Sequence, residues 1–194
     1  MVSEKVPPFA VQVDGLLLPK PLAGHPALEL CNTLAGWDDP PERHNEWLAT
    51  GEHLAVWAEF TGLLNPCPRD GSVLDDVREL RTVAYRLFRH RDESVFPALA
   101  AVADEANALR RLTSAGEFRL AHDSGDPRLP LYAAALAVAD LLGRPERDTV
   151  RACPGEGCGW LFLDPRGRRT WCTMAACGNR AKVRAYANRN RSSG

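Results

Sequence analysis

The sequence predicts a mainly α (α+β) fold, in which a helical N-terminal domain with one or two short β-hairpins precedes a small cysteine-rich module. Three observations lead to this prediction. Apolar residues recur at helical spacing through most of residues 26–142, four of the six cysteines fall within residues 153–177, and the charge changes sign along the chain. The 194 residues are 45% hydrophobic and 25% charged, which excludes a disordered chain of low hydrophobicity and high net charge.

Apolar periodicity and capping residues place the elements of the N-terminal part. Its clearest helix has apolar residues at i, i+4, i+7, i+11 and i+14 from Val73, with Ser72 as the predicted cap. Four arginines fall on the predicted outer face of this helix, namely Arg78, Arg81, Arg86 and Arg89. The predicted elements are, in order, a hairpin of Phe9–Val13 with Leu16–Leu18 around Asp14-Gly15, a helix Pro26–Leu34 ended by Gly36, a loop Trp37–Asn45, a helix capped by Thr50 and ended by Gly62, the helix after Ser72, a helix beginning at Ser94, a hairpin of Glu117–His122 with Leu129–Leu131 that turns at Ser124–Pro127, and a buried helix Tyr132–Leu142.

Basic residues are concentrated near the C-terminus. Residues 151–194 hold nine Lys and Arg against two acidic residues, a net charge of +7, whereas the other 150 residues hold 15 basic and 23 acidic ones, a net charge of −8. Near residues 143–150 the composition also changes from acidic and helical to rich in Cys, Gly and Arg. We therefore predict two domains, residues 1–145 and 150–194, and we expect the first to fold on its own. The basic second domain favours an anionic partner such as nucleic acid, with a merely solvated basic surface as the alternative.

The four C-terminal cysteines have the spacing of a metal site. Cys153 and Cys158 form one short-spaced pair, Cys172 and Cys177 form the second, and thirteen residues separate the pairs. Two such pairs match a structural zinc site, because Zn²⁺ binds four thiolates in a tetrahedron and each pair can supply one edge. One structural Zn²⁺ is therefore predicted on these four cysteines. Free or disulfide-bonded cysteines are the alternative.

The residues around these cysteines predict a hairpin followed by a helix. Trp160–Leu163 and Arg169–Trp171 are predicted as the arms of a hairpin that turns at Asp164–Gly167. The stretch after Cys177 contains no proline or glycine until the last residue, which favours a helix. The residues expected to pack this helix on the hairpin are Val183 and Tyr186 on one side and Trp160 and Phe162 on the other. A knuckle, a hairpin and a helix with the last ligand follow the order of a treble clef.

At these residues the chain resembles a known family. Trp171-Cys172 and Cys177-Gly178-Asn179-Arg180, which lead into a basic helix, are similar to the CGNR zinc finger. The N-terminal part is similar to the ABATE-type domain that usually precedes this finger. The segments that carry this second similarity are Leu28–Leu34 with its Asn-Thr pair, Glu52–Trp57 followed by Gly62-Leu63, and Val77–Phe88. Family members are described as stress-induced transcriptional regulators, so the resemblance implies transcription regulation and favours DNA over RNA as the target.

A basic surface is predicted on the C-terminal helix and on the hairpin turn. Arg180, Arg184, Asn188 and Arg191 recur at helical spacing and form one polar stripe. Such a small basic module suits phosphate contacts, and Arg and Asn side chains can also bind base edges. The candidate nucleic-acid-binding residues are Arg166, Arg168, Arg169, Arg180, Lys182, Arg184, Asn188 and Arg191. A solvated helix is the alternative.

Two further classes of function are considered, an interaction module and an enzyme. The helical domain can sense a small-molecule effector or form a homodimer while the finger docks on a protein. The candidate lining residues of an effector pocket are Asn32, Trp37, Trp47, His53 and Trp57, although Trp and His at helical spacing are more often core residues. No enzyme is predicted, because four thiolates close the zinc shell and the sequence has no phosphate-binding glycine motif or nucleophile elbow.

The sequence favours a soluble, cytoplasmic protein without a membrane partner. The longest uncharged apolar stretch, Leu129–Ala139, is shorter than the roughly 20 residues that span a bilayer. The first residues show no charged segment followed by an apolar one, as a secretory signal would.

Overall fold

The structure is a computed structural model that describes residues 6–121 and 126–191. Its helices are α1 (Pro26–Cys31), α2 (Gly51–Phe60), α3 (Leu74–Tyr85), α4 (Phe96–Ala108), α5 (Leu129–Leu142) and α6 (Asn179–Arg191). Its strands are β1 (Ala10–Val13), β2 (Leu16–Pro19), β3 (Leu34–Ala35), β4 (Asn45–Glu46), β5 (Arg110–Leu112), β6 (Phe118–Leu120), β7 (Val150–Ala152) and β8 (Leu161–Leu163). Consecutive strands pair as four separate antiparallel ribbons. The predicted mainly helical α+β fold is confirmed.

Helix α5 lies at the centre of the helical body. It packs against α1, α2, α3 and α4, and nine of its residues are buried. Its sequence is apolar on nearly every side. Such a helix can bury its apolar faces only when other elements pack around it. The prediction of a buried helix here is confirmed. None of the helices in the described residues is both long and apolar enough to cross a membrane.

The cap of α2 agrees with the sequence, whereas the cap of α3 and the first residue of α4 differ from it. The Thr50 hydroxyl accepts a hydrogen bond from the His53 N–H, as predicted for the start of α2. The prediction that Ser72 caps α3 is wrong, because the Ser72 hydroxyl donates to Asp70 Oδ1 at 3.0 Å. The helix predicted to begin at Ser94 begins at Phe96, after a turn in which the Asp92 side chain accepts from the Ser94 N–H. In both turns the Asp side chain competes for the local donors.

Two predicted elements are wrong in extent or partner. Helix α1 ends at Cys31 rather than Leu34, because residues 34–35 leave the helix to pair with Asn45–Glu46. The second hairpin joins Arg110–Leu112 to Phe118–Leu120, whereas residues 129–131 begin α5. Three hydrogen bonds between Thr113 and residues 116–117 close its turn, a local signal that the apolar pattern does not show. The predicted turn at residues 124–127 lies partly outside the described residues.

Arg81, expected on the outer face of α3, is instead buried at 4% exposure. Its guanidinium donates to both carboxylate oxygens of Glu46, at 2.8 and 2.5 Å, and to the Thr33 hydroxyl at 3.0 Å. The β3–β4 ribbon brings these acceptors over α3. A bidentate partner with a second acceptor is what makes burial of an arginine tolerable, and here it ties α3 to the segment after α1.

The C-terminal module packs directly into the helical body. Leu161 of β8 is fully buried within the main hydrophobic core, together with residues of α1, α3 and α5. The Leu163 N–H donates to the Ala23 carbonyl at 2.8 Å. The Asn32 side chain donates to the Leu161 carbonyl and accepts from the Leu161 N–H, at 2.9 and 2.8 Å. The structure therefore shows a continuous core across the predicted boundary at residues 143–150.

Glu29 is a buried carboxyl group at the base of α1. It accepts hydrogen bonds from the N–H groups of Leu22, Ala23 and Gly24, at 3.0, 2.6 and 3.0 Å. Burial raises the pKa of Glu29 from 4.5 to about 7, although these donors and the charge of Arg169 act in the opposite direction. The folded protein therefore holds a proton on this carboxyl that the unfolded chain releases at a lower pH.

We expect a pH dependence of stability that Glu29→Gln removes. Because the folded pKa lies above the unfolded value, the free energy of unfolding should fall by about 3 kcal/mol as the pH rises from 4.5 to 7. Urea unfolding of both proteins across this range measures the difference. Taking the difference cancels the titration of all other groups, including the zinc thiolates. Parallel curves for the two proteins would show that Glu29 does not titrate in this window.

Candidate metal centre and the adjoining basic surface

The first cysteine pair sits on a knuckle that follows β7. The Cys153 N–H donates to the Trp160 carbonyl at 2.8 Å, and the Cys158 N–H donates to the Gly155 carbonyl at 2.9 Å. A Cβ on Gly155 would lie 2.9 Å from the Cys177 sulfur. Only glycine therefore leaves room at this position for the second pair of cysteines.

The second cysteine pair lies on the turn that leads into α6. Thr173 caps this π-helical turn, Met174–Gly178, by accepting from the Ala175 N–H at 3.2 Å. Gly178 is buried beneath Met174 and Trp171, and a Cβ there would lie 2.5 Å from the Met174 sulfur. The turn thereby brings Cys177 back over Cys172, with 3.6 Å between their sulfur atoms.

The four cysteines fit a zinc ion. All four sulfur atoms lie within 4.8 Å of one another, and the distances from Cys172 to Cys177 and to Cys158 are 3.6 and 3.8 Å. A tetrahedron with Zn–S bonds of ~2.3 Å has sulfur–sulfur edges of about 3.8 Å. Cys31 and Cys67 are free and lie in the body. The predicted cluster is therefore formed, and four thiolate donors leave no open position.

Two arginines lie against the cysteine cluster. The Arg180 guanidinium donates to the Cys177 sulfur at 3.0 Å. The Arg169 guanidinium donates to the carbonyls of Trp171 and Cys172 and stacks 4.2 Å over the Phe162 ring. Four thiolates around Zn²⁺ carry a net charge of −2, which nearby cations stabilise. Both residues, predicted as nucleic-acid contacts, thus have bonds within the finger.

Comparison with known families agrees with this geometry. A family described as "CGNR zinc finger" matches residues 149–190, and a family described as "Putative stress-induced transcription regulator", ABATE, matches residues 24–145. The chain belongs to the ABATE family. Its C-terminal module is a CGNR zinc finger, which holds one structural zinc ion. No curated protein matches the chain.

The residues that name the CGNR finger all serve its metal site in this ABATE protein. Cys177 supplies a sulfur, and Gly178 admits the Met174 side chain. The Asn179 amide donates to the Ala175 carbonyl at 3.4 Å, and Arg180 donates to the Cys177 sulfur. The motif thus combines one ligand with three residues that shape and compensate its surroundings.

The finger contains a different ribbon from the predicted one. Strand β8 pairs with β7, in the register Val150↔Leu163, and not with Arg169–Trp171. The predicted turn at Asp164–Gly167 is present. It leads into an irregular segment, in which the Arg169 side chain bonds to the Trp171 carbonyl. Pairing with β7 was hidden in the sequence because Val150–Ala152 lies before the first cysteine, outside the apparent hairpin.

The body covers the face of the finger that α6 was expected to cover. Phe9 packs edge-on against Trp160 at 5.8 Å, and Phe162 is buried at 1% exposure. Val183 and Tyr186 are 68% and 62% exposed, so the prediction that they pack on these aromatics is wrong. The aromatic ring of Trp160 is instead held by the body, through its N–H bond to the Leu34 carbonyl at 2.9 Å.

Sequence reasoning missed the body residues that hold the first knuckle. The Tyr85 hydroxyl donates to the Gly159 carbonyl at 2.9 Å, while its ring stacks on Trp37 at 3.8 Å. The Asp39 carboxylate lies so close to Gly157 that a Cβ there would be 2.1 Å from its oxygen. The acidic Trp37–Asp39 stretch between two turns was the available signal.

The five candidate pocket residues do not form one pocket. Trp57 is in the main core, Asn32 bonds to β8, Trp37 stacks on Tyr85, Trp47 contacts Phe9, and His53 lies beside the Thr50 cap. They therefore serve packing, capping and attachment of the finger.

The basic residues of α6 divide between two faces. None of the residues of α6 is buried. Arg184 forms an ion pair with Glu156 on the first knuckle, so it faces the finger as Arg180 does. Lys182, Tyr186 and Arg189 lie at i, i+4 and i+7 on another face of the helix, and all three are exposed. The remaining candidates Arg166 and Arg168 are exposed on the turn, and Asn188 and Arg191 bond to each other at 3.1 Å.

Proposed function

We propose that this ABATE protein is a transcriptional regulator that binds nucleic acid, preferentially DNA, through its zinc finger. The observation that carries the proposal is α6, a thirteen-residue helix with five basic residues and none buried. Because α6 buries no side chain in a core, its surface is accessible to a binding partner. An α-helix fits into the major groove of B-DNA. The preference for DNA rests on the family description.

The proposed contact surface is the outer face of α6, defined by Lys182, Tyr186 and Arg189. Arg180 and Arg184 hold the helix on the zinc site and on Glu156, so they position this face. Lys and Arg can bind phosphates, and the Tyr186 ring can contact the sugar and base edges. Arg166 and Arg168, at the turn after β8, extend this contact surface. The body, with a net charge of −8 in residues 1–150, repels phosphates and confines binding to the finger.

The role proposed for zinc is structural, and the protein is proposed not to be an enzyme. When bound, the ion fixes the two knuckles through four thiolates, which leave no position for a substrate. Arg180 and Arg169 then balance the charge of the cluster and orient α6 and the turn. The body is proposed to sense a small molecule or to form a homodimer, and thereby to control the finger.

A protein partner in place of nucleic acid is the second candidate. Val183 and Tyr186 on α6 and Met174 before it are 68%, 62% and 49% exposed. Exposed apolar and aromatic side chains of this kind are typical of protein interfaces. The same helix would then dock through its apolar side chains, and salt would have little effect on the affinity.

Salt dependence of DNA binding tests the proposal. Each phosphate contact contributes a slope of about −0.9 to log K against log salt concentration, so removing two contacts should reduce the slope by about 2. We expect this result for Lys182→Gln combined with Arg189→Gln, measured by fluorescence anisotropy with random-sequence duplex DNA. Zinc content should stay at one per chain, since neither residue touches the cysteines.

The matched control is Arg111→Gln combined with Arg119→Gln, which removes the same charge from the β5–β6 ribbon of the body. This variant should keep the wild-type slope, because the proposed surface is confined to the finger. Absence of salt-sensitive binding by the wild-type protein at micromolar concentration would overturn DNA binding and favour the protein partner.

A further inference from the structure

We propose that a groove on the ABATE body binds an apolar carboxylate, a small molecule with one carboxylate on an apolar skeleton. The inference rests on the sensing role proposed above and gives it a site and a ligand class. The groove lies between α5, the loop Gly62–Asn65 after α2, and the β5–β6 ribbon, with a volume of about 780 Å³. Small-molecule sites commonly occupy roughly 300–1,000 Å³.

Small residues of α5 create the space and an apolar floor. Ala133, Leu136 and Ala137 line the groove from one side, and Leu120 and Phe118 line it from the ribbon. Phe118 is 57% exposed, so a large part of its ring faces solvent. Covering this ring and the alanine floor with the apolar part of a ligand would remove that surface from water, which favours binding.

Arg110 supplies the cation with unused donors. Its guanidinium donates to Asn107 Oδ1 at 3.3 Å and to the Phe118 carbonyl at 2.8 Å, and lies 5.7 Å from the Phe118 ring centroid. Five N–H donors are available to an arginine, so these two bonds leave room for a bidentate anion. No ion pair joins Arg110 to a carboxylate within residues 6–121 and 126–191.

The other charged groups of the groove are already compensated. Arg119 pairs with Glu117 at 2.6 Å, and Arg144 pairs with Asp140 at 2.7 Å. His25 accepts from the Ala27 N–H through Nδ1, so its Nε2 carries the proton that it donates to Asp140. Among the described residues that line the groove, Arg110 is therefore the one guanidinium without an ion pair, which matches a single negative charge, and they offer no second unpaired cation for a phosphate with two charges.

Matched probes test the charge requirement. We expect 2-naphthoate to bind the zinc-loaded, full-length protein with one-site saturation in isothermal titration calorimetry. Its neutral amide, 2-naphthamide, has nearly the same shape and should bind at least about tenfold more weakly, the loss expected for one charge-assisted hydrogen-bond pair. Equal affinities for the two probes would overturn the proposal. So would the absence of saturable 2-naphthoate binding up to about 5 mM, a concentration at which even weak specific ligands bind.

Substitutions place the binding in the groove. Arg110→Gln should weaken 2-naphthoate about tenfold and leave 2-naphthamide unchanged. Arg111→Gln removes the same charge from the next residue of β5, which does not line the groove, and should leave both affinities within about twofold. Ala137→Phe fills the floor and should abolish both. Equal losses in Arg110→Gln and Arg111→Gln would overturn the site.

The result is separable from the DNA proposal. The salt slope of DNA binding depends on the outer face of α6, whereas the naphthoate affinity depends on Arg110 in the body. A protein that binds DNA but neither probe would overturn the groove alone. A protein that binds 2-naphthoate in the groove but no DNA would leave the ligand site standing and overturn the proposed regulator.

Discussion

Replacing Cys177 by Ser is expected to release zinc, unfold the finger and destabilise the helical body as well. The sulfur of Cys177 lies 3.6 Å from that of Cys172, and a serine hydroxyl cannot replace a thiolate in the tetrahedron. Residues 151–194 contain few large apolar residues, so the finger depends on the metal for its fold. Elemental analysis should show less than one zinc per chain.

The loss of body stability follows from the contacts of β8. Leu161 is fully buried in the main core and bonded to Asn32, and Leu163 is bonded to Ala23. Exposing one buried leucine costs about 2 kcal/mol, and the lost bonds cost about 1 kcal/mol each. With two bonds to Asn32 and one to Ala23 lost, we therefore expect the free energy of unfolding of the body to fall by about 5 kcal/mol. The sequence alone predicts that residues 1–145 fold independently, and these contacts predict a much less stable fragment.

Cys67→Ser provides the matched control. Cys67 lies in the body outside the cluster, and burial raises its pKa to about 12, so it stays a thiol. This variant should retain one zinc per chain and unfold in one transition, as we also expect of the wild type. Full zinc content in Cys177→Ser would contradict the four-thiolate site, and unchanged stability of its body would contradict the coupling through β8.

The metal site could be predicted from the sequence because its information is local. Two short cysteine pairs with glycines between them determine a tetrahedral cluster with little help from the rest of the chain. Helix α5 could be predicted for a similar reason, because a helix that is apolar on nearly all sides is stable only in the interior of the protein. The Thr50 cap likewise depends on a contact three residues away.

Three of the errors arise where a partner distant in sequence decides the structure. Helical spacing predicts that Arg81 is exposed to solvent. It is buried because β4 places Glu46, which lies 35 residues earlier in the chain, against its guanidinium. The arm Trp160–Leu163 pairs with β7 because the body covers its other side. Tyr186 stays exposed for the same reason, since its expected partner is already covered.

The basic surface shows the same division between local and distant information. Helical spacing correctly identified α6, but it could not tell which face would turn toward the finger. Arg180 and Arg184 face inward because a sulfur and Glu156 lie there. The resemblance in the segment Leu28–Leu34 did point to Asn32, and only the structure shows that its partner is the backbone of β8.

Asn32→Ala is expected to lower stability strongly while leaving the zinc ligands in place. The Asn32 amide donates to the Leu161 carbonyl at 2.9 Å and accepts from the Leu161 N–H at 2.8 Å, as a neighbouring strand would. Both Leu161 groups are buried, so alanine leaves a donor and an acceptor unsatisfied. At about 1–3 kcal/mol for each such group, we expect a loss of about 2–5 kcal/mol.

Urea unfolding followed by tryptophan fluorescence, with zinc release measured by a coloured chelator, checks this expectation. Asn107→Ala, an exposed amide on α4, is the matched control and should change stability by less than about 0.5 kcal/mol. Asn32→Ala should still bind one zinc per chain, because its side chain touches none of the cysteines. A loss no larger than that of the control would contradict the role of Asn32.

Asn32→Asp separates the two hydrogen bonds. An aspartate keeps the acceptor for the Leu161 N–H, but it loses the donor and places a carboxylate against the Leu161 carbonyl. Burial and that carbonyl should raise the pKa of the new carboxyl above its unfolded value, so the protonated form is favoured in the folded state. The variant should therefore be less stable than wild type at pH 7 and recover part of the difference as the pH falls, because the protonated carboxyl can donate to the carbonyl again. A loss that does not change between pH 7 and pH 5 would show that the donor is not what attaches the finger to α1.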